Sequence, residues 1–201
     1  MRNVLPFLIA LVAVVGCDRN RSEQAASDVP HQEVHVDSAL PIDTLLARFR
    51  ATVADTPRRL DGGARDAEAL TRALLTALQE QDTAALRQLV LTRSEFAWLY
   101  YPHTKFTAPP YELGPELLWF QLQLASEKGA TRLVRRYGGS SLRFEALECP
   151  DSVSVEGPNR VVTGCRVRFA AADSAARTMR LFGSLLERDG RVKFVTYAND
   201  L

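Results

Sequence analysis

The side chains best suited to chemistry concentrate between Phe96 and Phe120. Phe96, Trp98, Tyr100, Tyr101, Phe106, Tyr111, Trp119 and Phe120 supply eight of the chain's sixteen aromatic residues (nine Phe, five Tyr, two Trp). His103 stands among them. An imidazole titrates near neutrality, and beside a phenol it can act as an acid–base pair. Tyr and Trp offer apolar faces with one hydrogen-bonding end, which suits a pocket mouth or a partner surface. Trp98, Tyr100, Tyr101, His103 and Trp119 are therefore the candidate pocket lining. The competing reading is structural, because a long proline-containing loop needs aromatic anchors on the helix ends around it. No carboxylate can be paired with His103 from the sequence, so no residue is assigned a catalytic role.

Two other residue sets bear on function. Arg143, Arg166 and Arg168 alternate with apolar residues, so they should share one face of a sheet, with Arg180 and Lys193 joining them if the register allows. Such a basic face could meet anionic lipid or polymer, although Glu145 and Glu187 could neutralise it. His31 and His35 stand four apart with Asp37 beyond, a spacing that would let two rings meet one metal on a helix. Their setting is polar and aperiodic, so they read as solvated tether residues, and no metal or cofactor is implied. A nucleophile elbow, a phosphate loop, a dinucleotide fingerprint and a zinc-protease motif are all missing. With 25 basic and 24 acidic residues in 201, the charge balance gives no footprint for nucleic acid.

The N-terminus reads Met-Arg-Asn-Val-Leu-Pro-Phe-Leu-Ile-Ala-Leu-Val-Ala-Val-Val-Gly-Cys. A charged start precedes an apolar stretch from Val4 to Val15, too short to span hydrocarbon and of the length of a secretory signal core. Its end, Val14-Val15-Gly16-Cys17, resembles the bacterial lipobox, which prefers Leu at the place of Val14 and Ala or Ser at that of Val15. The resemblance implies cleavage before Cys17, a diacylglycerol on its sulfur and an acyl group on its amine. Two or three acyl chains anchor firmly where one does not. The alternatives are an uncleaved anchor or a plain signal with a chance cysteine. Asp18 after the cysteine resembles the inner-membrane retention signal of enteric bacteria, so the periplasmic face of the inner membrane is favoured over the outer membrane.

With Cys17 taken by lipid, Cys149 and Cys165 remain as an even pair in an oxidising compartment. A bridge between them would close a loop of about 15 residues, worth roughly 3 kcal/mol in the chain-entropy description. Two free buried thiols are the alternative. Reflecting the chain about Gly157-Pro158-Asn159 brings the two cysteines almost opposite, which favours the bridge.

The elements that must position these groups follow from periodicity. Residues 1–16 form the signal, and 17–39 the lipidated cysteine with a polar tether reaching roughly 25 Å. Residues 40–63 hold an amphipathic helix with Ile42, Leu45, Leu46, Phe49 and Val53 at helical spacing, followed by a linker. A second helix is expected from about Arg65 to Gln81, and a short third one capped by Asp82. Thr92 to Glu95 fits a capping box. Gly114-Pro115 opens another helix, with Gly129 expected to bend or break it and Gly138-Gly139 to stop it. From Ser140 the period becomes 2, with runs at Leu142–Ala146, Val161–Phe169, Met179–Leu185 and Val192–Thr196. Asp189-Gly190 signals a tight hairpin between the last two.

Helices followed by strands give an α+β class: N-terminal helices packed on a curved four-stranded antiparallel meander. The order over residues 64–201 resembles the nuclear-transport-factor-2-like cone fold, with a cystatin-like fold as the near alternative. The cone resemblance implies dimerisation through the sheet in some relatives and isomerases or dehydratases among others. The expected function is a membrane-tethered, non-enzymatic envelope lipoprotein that binds an envelope protein or a small ligand. The alternative is a carrier or isomerase-type enzyme using the cone's interior.

Overall fold

A computed structural model describes residues 40–151, 153–172 and 174–201. The signal, Cys17, His31, His35 and the tether lie outside the described residues. Among the described residues, five α-helical segments come first: α1 (Ile42–Arg50), α2 (Ala67–Gln79), α3 (Thr83–Leu89), the single turn α4 (Arg93–Glu95) and α5 (Pro115–Tyr137), with a π turn at Phe96–Tyr100 and 3-10 turns at Tyr101–His103 and Lys105–Thr107 between the last two. The described strands follow: β1 (Leu142–Glu148), β2 (Val153–Glu156), β3 (Asn159–Thr163), β4 (Arg166–Ala171), β5 (Arg177–Met179), β6 (Ser184–Arg188) and β7 (Arg191–Phe194). The molecule is thus α+β, with helices followed by antiparallel sheets.

The helix starts obey the local chemistry. Asp66 accepts a hydrogen bond from the Ala69 N–H at the start of α2, and Asp82 accepts from Ala84 and Ala85 at the start of α3. Thr92 and Glu95 close the reciprocal capping box. Helix α5 departs from expectation, running unbroken through Gly129. That glycine is a contact point, since a Cβ there would lie 1.8 Å from the Tyr197 carbonyl oxygen. The missing side chain lets the C-terminal segment cross the helix against its backbone.

The expected four-stranded sheet is also corrected. The strands form a three-stranded sheet, β1-β4-β5, and a four-stranded one, β2-β3-β6-β7. The pairing keeps the meander order: β1 and β2 pair with β4 and β3, which pair in turn with β5 and β6, and β7 closes on β6. The run expected from Met179 to Leu185 changes sheets between β5 and β6, and the run expected from Val161 to Phe169 breaks likewise between β3 and β4. The Cys149–Cys165 disulfide sits at this break, next to the last β1–β4 pair, Glu148 and Arg166. Gly164 at φ +87° makes the adjoining bend on the partner strand.

The four-stranded sheet is covered on both faces. Leu185, Val192 and Phe194 enter one core with Leu74 and Leu78 of α2 and Leu133 and Tyr137 of α5. Leu186, Val161 and Val195 enter a second core with Leu46 and Phe49 of α1 and Phe96, Tyr100 and Tyr101. Period-2 alternation sends successive residues into different cores, which is why residues Val192 to Tyr197 are buried without interruption.

Candidate functional site

Helix α5 buries Pro115, Leu118, Gly129, Leu133 and Tyr137 and leaves its other flanks more open. Between one of these flanks and the segment running from α3 to Arg93 lies a groove of about 750 Å³. Leu86, Leu91, Val195 and Tyr197 are its buried residues, and Leu122, Ala130 and Val134 line it from α5. The α5 lining runs from Trp119 to Arg135, about 24 Å at 1.5 Å per residue. This size fits a drug-sized ligand. The lining atoms are mostly apolar, but Thr83, Thr92, Gln123, Ser126 and Thr131 also face it, and its charged residues are Arg87, Arg93 and Arg135 against Glu127. Arg93 is engaged, its guanidinium stacking 4.6 Å from the Phe49 ring centre and donating to Thr52 Oγ1 at 3.0 Å. The Tyr197 hydroxyl donates to the Leu86 carbonyl at 2.6 Å, which ties the C-terminal segment to α3, and burial raises its pKa.

The groove's outer rim is apolar as well. Phe120 is 61% exposed and Leu124 54%. The helical repeat places them in one stripe with Glu127 and Thr131, which line the groove. Leu117, 50% exposed, extends this surface by one turn.

A second cavity, of about 450 Å³, flanks the C-terminal end of α5. Arg132, Arg135 and Arg136 line it from the helix and Arg177 from β5, beside Tyr137, Met179 and Leu201. The lining holds no carboxylate side chain. Among the described residues, none of these four guanidiniums joins an ion pair. Cations in the last helical turn suit its carbonyl-rich end, which accounts for Arg135 and Arg136 locally. It does not account for Arg177, which arrives from the sheet. Arg135 borders both cavities.

The five residues singled out in the sequence do not meet in one pocket. Trp119 lines the groove. Tyr101 is fully buried in the second core, its hydroxyl donating to the Leu113 carbonyl at 2.6 Å and its pKa pushed up to about 12 by burial. Tyr100 is buried in the same core, and burial raises its pKa too. Trp98 is half-buried under the Arg50 guanidinium, 4.1 Å from its ring centre. His103 packs on the β2–β3 turn, close enough that a Cβ on Gly157 would lie 2.8 Å from Nδ1. Burial and then the Arg188 and Arg50 charges hold its pKa below the usual histidine value.

A polar network joins this aromatic segment to the strand ends. Asn159 Nδ2 and Arg188 both donate to the Leu99 carbonyl, and Arg188 also donates to Asn159 Oδ1. Trp98 Nε1, Thr104 Oγ1, Glu156 Oε2 and Arg188 Nε are buried here without a protein hydrogen bond, although Asp189 approaches Arg188 Nε at 3.4 Å. Phe96 packs against Phe49, Tyr101 and Trp119 at ring-centre distances of 5.5, 5.5 and 5.2 Å. These contacts match the anchoring role weighed for the aromatic cluster.

On the sheet, Glu145 accepts from Arg143 at 3.0 Å and from Arg168 at 2.9 Å. Arg166 donates to the Thr178 carbonyl. Lys193 does not join this face: it is 1% exposed and bonded to Glu95, because the strand it sits on is covered on both sides. Arg180 pairs with Asp200. The space between α2, α5 and the sheets is filled by Phe169, Phe182, Phe194 and their leucine neighbours.

Sequence reasoning missed both cavities. The one available signal was the apolar width of α5, where Leu117, Phe120 and Leu124 exceed what one buried face requires. Among the described residues no group of three His, Cys, Asp or Glu could hold a metal ion, and no helix is long and apolar enough to cross a membrane. The chain matches no known family model, no curated protein and no solved structure, so the functional reading rests on its own residues.

Proposed function

We propose that this is a lipid-anchored lipoprotein of the bacterial envelope. Its folded domain is a non-enzymatic binding module that holds an elongated apolar ligand in the groove between α3 and α5. The observation that carries the reading is the groove itself: about 750 Å³, apolar and continuous with exposed Phe120 and Leu124. The lipobox-like ending at Cys17 supports the anchor, and helices followed by a bent meander support the cone-like reading of residues 64–201. The packed interior, filled by Phe169, Phe182 and Phe194, favours a surface groove over a cone cavity as the ligand's place.

Native mass spectrometry of the full chain purified from envelopes tests the ligand. A bound small molecule that is lost in Thr131→Phe, which fills the groove from an exposed position, is the expected result. A bare protein, or a bound mass indifferent to Thr131→Phe, refutes the groove reading. Metabolic labelling with radioactive palmitate tests the anchor: label should enter the wild-type chain and not Cys17→Ser.

A further inference from the structure

The groove runs along α5 from Trp119 to Arg135, and the arginine-lined cavity flanks the C-terminal end of the helix, with Arg135 in the lining of both. One cavity is long and apolar. The other carries four guanidiniums and no carboxylate side chain. Four like charges around one small cavity outnumber the single carboxylate at Leu201 in its wall, and an oxyanion relieves their repulsion through bidentate contacts that a guanidinium fork makes well. Glu127 disfavours an anion in the middle of the groove, and Arg93 at its far end is occupied by Thr52 and Phe49. Arg87 is a further cation in the groove lining, but the second cavity gathers four guanidiniums, so the charge pattern favours a negative group most strongly at the Arg135 end.

From this juxtaposition we infer that the ligand is an anionic single-chain amphiphile. Its hydrocarbon chain lies along α5 in the groove. Its oxyanion head, a carboxylate or a phosphate, is held by Arg132, Arg135, Arg136 and Arg177. The inference rests on the groove reading above and adds the chemistry of the head.

The test uses the full chain in nanodiscs of zwitterionic lipid. Three sixteen-carbon probes with a photoactivatable group in the chain are titrated: the fatty acid, the lysophosphatidic acid and the fatty alcohol. Labelled peptides are mapped by mass spectrometry. The expected result is labelling within residues 86–93 and 119–134, with the anionic probes half-saturating at concentrations about tenfold or more below the alcohol. The stronger of the two anions identifies the head. In Arg132→Gln/Arg136→Gln/Arg177→Gln the anionic probes should fall to the level of the alcohol, with labelling by the alcohol unchanged. If acid, lysophosphatidic acid and alcohol label the wild-type groove equally, or if the triple variant keeps the preference, the oxyanion inference is overturned and the groove reading stands. If no probe labels either peptide, the groove reading itself fails and the inference goes with it.

Discussion

Replacing Lys193 by methionine would remove the only ammonium from one of the most buried places in the protein. Lys193 Nζ donates to Glu95 Oε2 at 2.8 Å and to the Asp61 carbonyl at 2.7 Å. The two side chains are 1% and 2% exposed. Glu95 also accepts from the Asp61 N–H at 2.7 Å and the Thr92 N–H at 2.8 Å. The pair therefore joins three parts of the chain: the linker after α1, the capping box of α4 and strand β7. Lys193→Met leaves the Glu95 carboxylate buried with two amide donors and no counter-charge, and the Asp61 carbonyl loses its donor. Breaking a buried pair from one side costs about 3–5 kcal/mol. At about 2–4 °C per kcal/mol for a domain of this size, the melting temperature should fall by roughly 6–20 °C. Urea unfolding of wild type, Lys193→Met, Glu95→Gln and the double variant completes a cycle. The double variant should lose less than the two single losses summed, by about 2 kcal/mol, because neither charge is then stranded. A loss below about 1 kcal/mol in Lys193→Met, or additive single effects, would show that solvent reaches the pair and refute the reasoning.

Removing the disulfide as Cys149→Ser/Cys165→Ser should cost about 3 kcal/mol in urea unfolding, from the loop it closes across a sequence separation of 16. Gly129→Ala should destabilise by about 1–3 kcal/mol, although the same change in an open helix stabilises by about 1 kcal/mol, because the new Cβ meets the Tyr197 carbonyl; a rise in melting temperature would contradict the close crossing. His103 has a folded pKa below its unfolded value, so the unfolded chain binds the extra proton first. Its contribution to stability should be complete above the ordinary histidine value of about 6.5 and be lost as pH falls through that value toward the folded pKa. Urea midpoints from pH 5 to 8 should show this slope in wild type and a flatter one in His103→Gln. Asn159→Ala leaves the Leu99 carbonyl and Arg188 each short of a partner at a fully buried site, and should cost about 1–3 kcal/mol by thermal melting.

Much of the fold is legible in the residues because its causes are local. Asp66, Asp82 and the Thr92–Glu95 box announce helix starts by side-chain oxygens placed to meet free amides. Asp189-Gly190 announces the last hairpin because both positions take positive φ, +50° and +70°. The pairing of Cys149 with Cys165 is readable from a turn and a count. Gly129 was read as a breaker because local propensity sees only the missing side chain, whereas its partner is Tyr197, far away in sequence. Alternation allows Lys193 onto the basic face only conditionally, because it shows two faces of a strand and not what covers each. The aromatic segment by itself allows either a pocket lining or a set of anchors, and helical and turn geometry sends Tyr101 inward, Trp119 into the groove and His103 onto a distant hairpin.

By itself the sequence determined the class, the order of the elements, their caps and turns, and the cysteine pair, all of which depend on neighbours within a few residues or on simple periodicity. Only the tertiary structure decided where the meander bends into two sheets, which strand faces are buried, and that one flank of α5 stays open beside an arginine cluster. Those outcomes depend on which distant surfaces meet, and a burial pattern along one segment records that a face is apolar without recording what covers it.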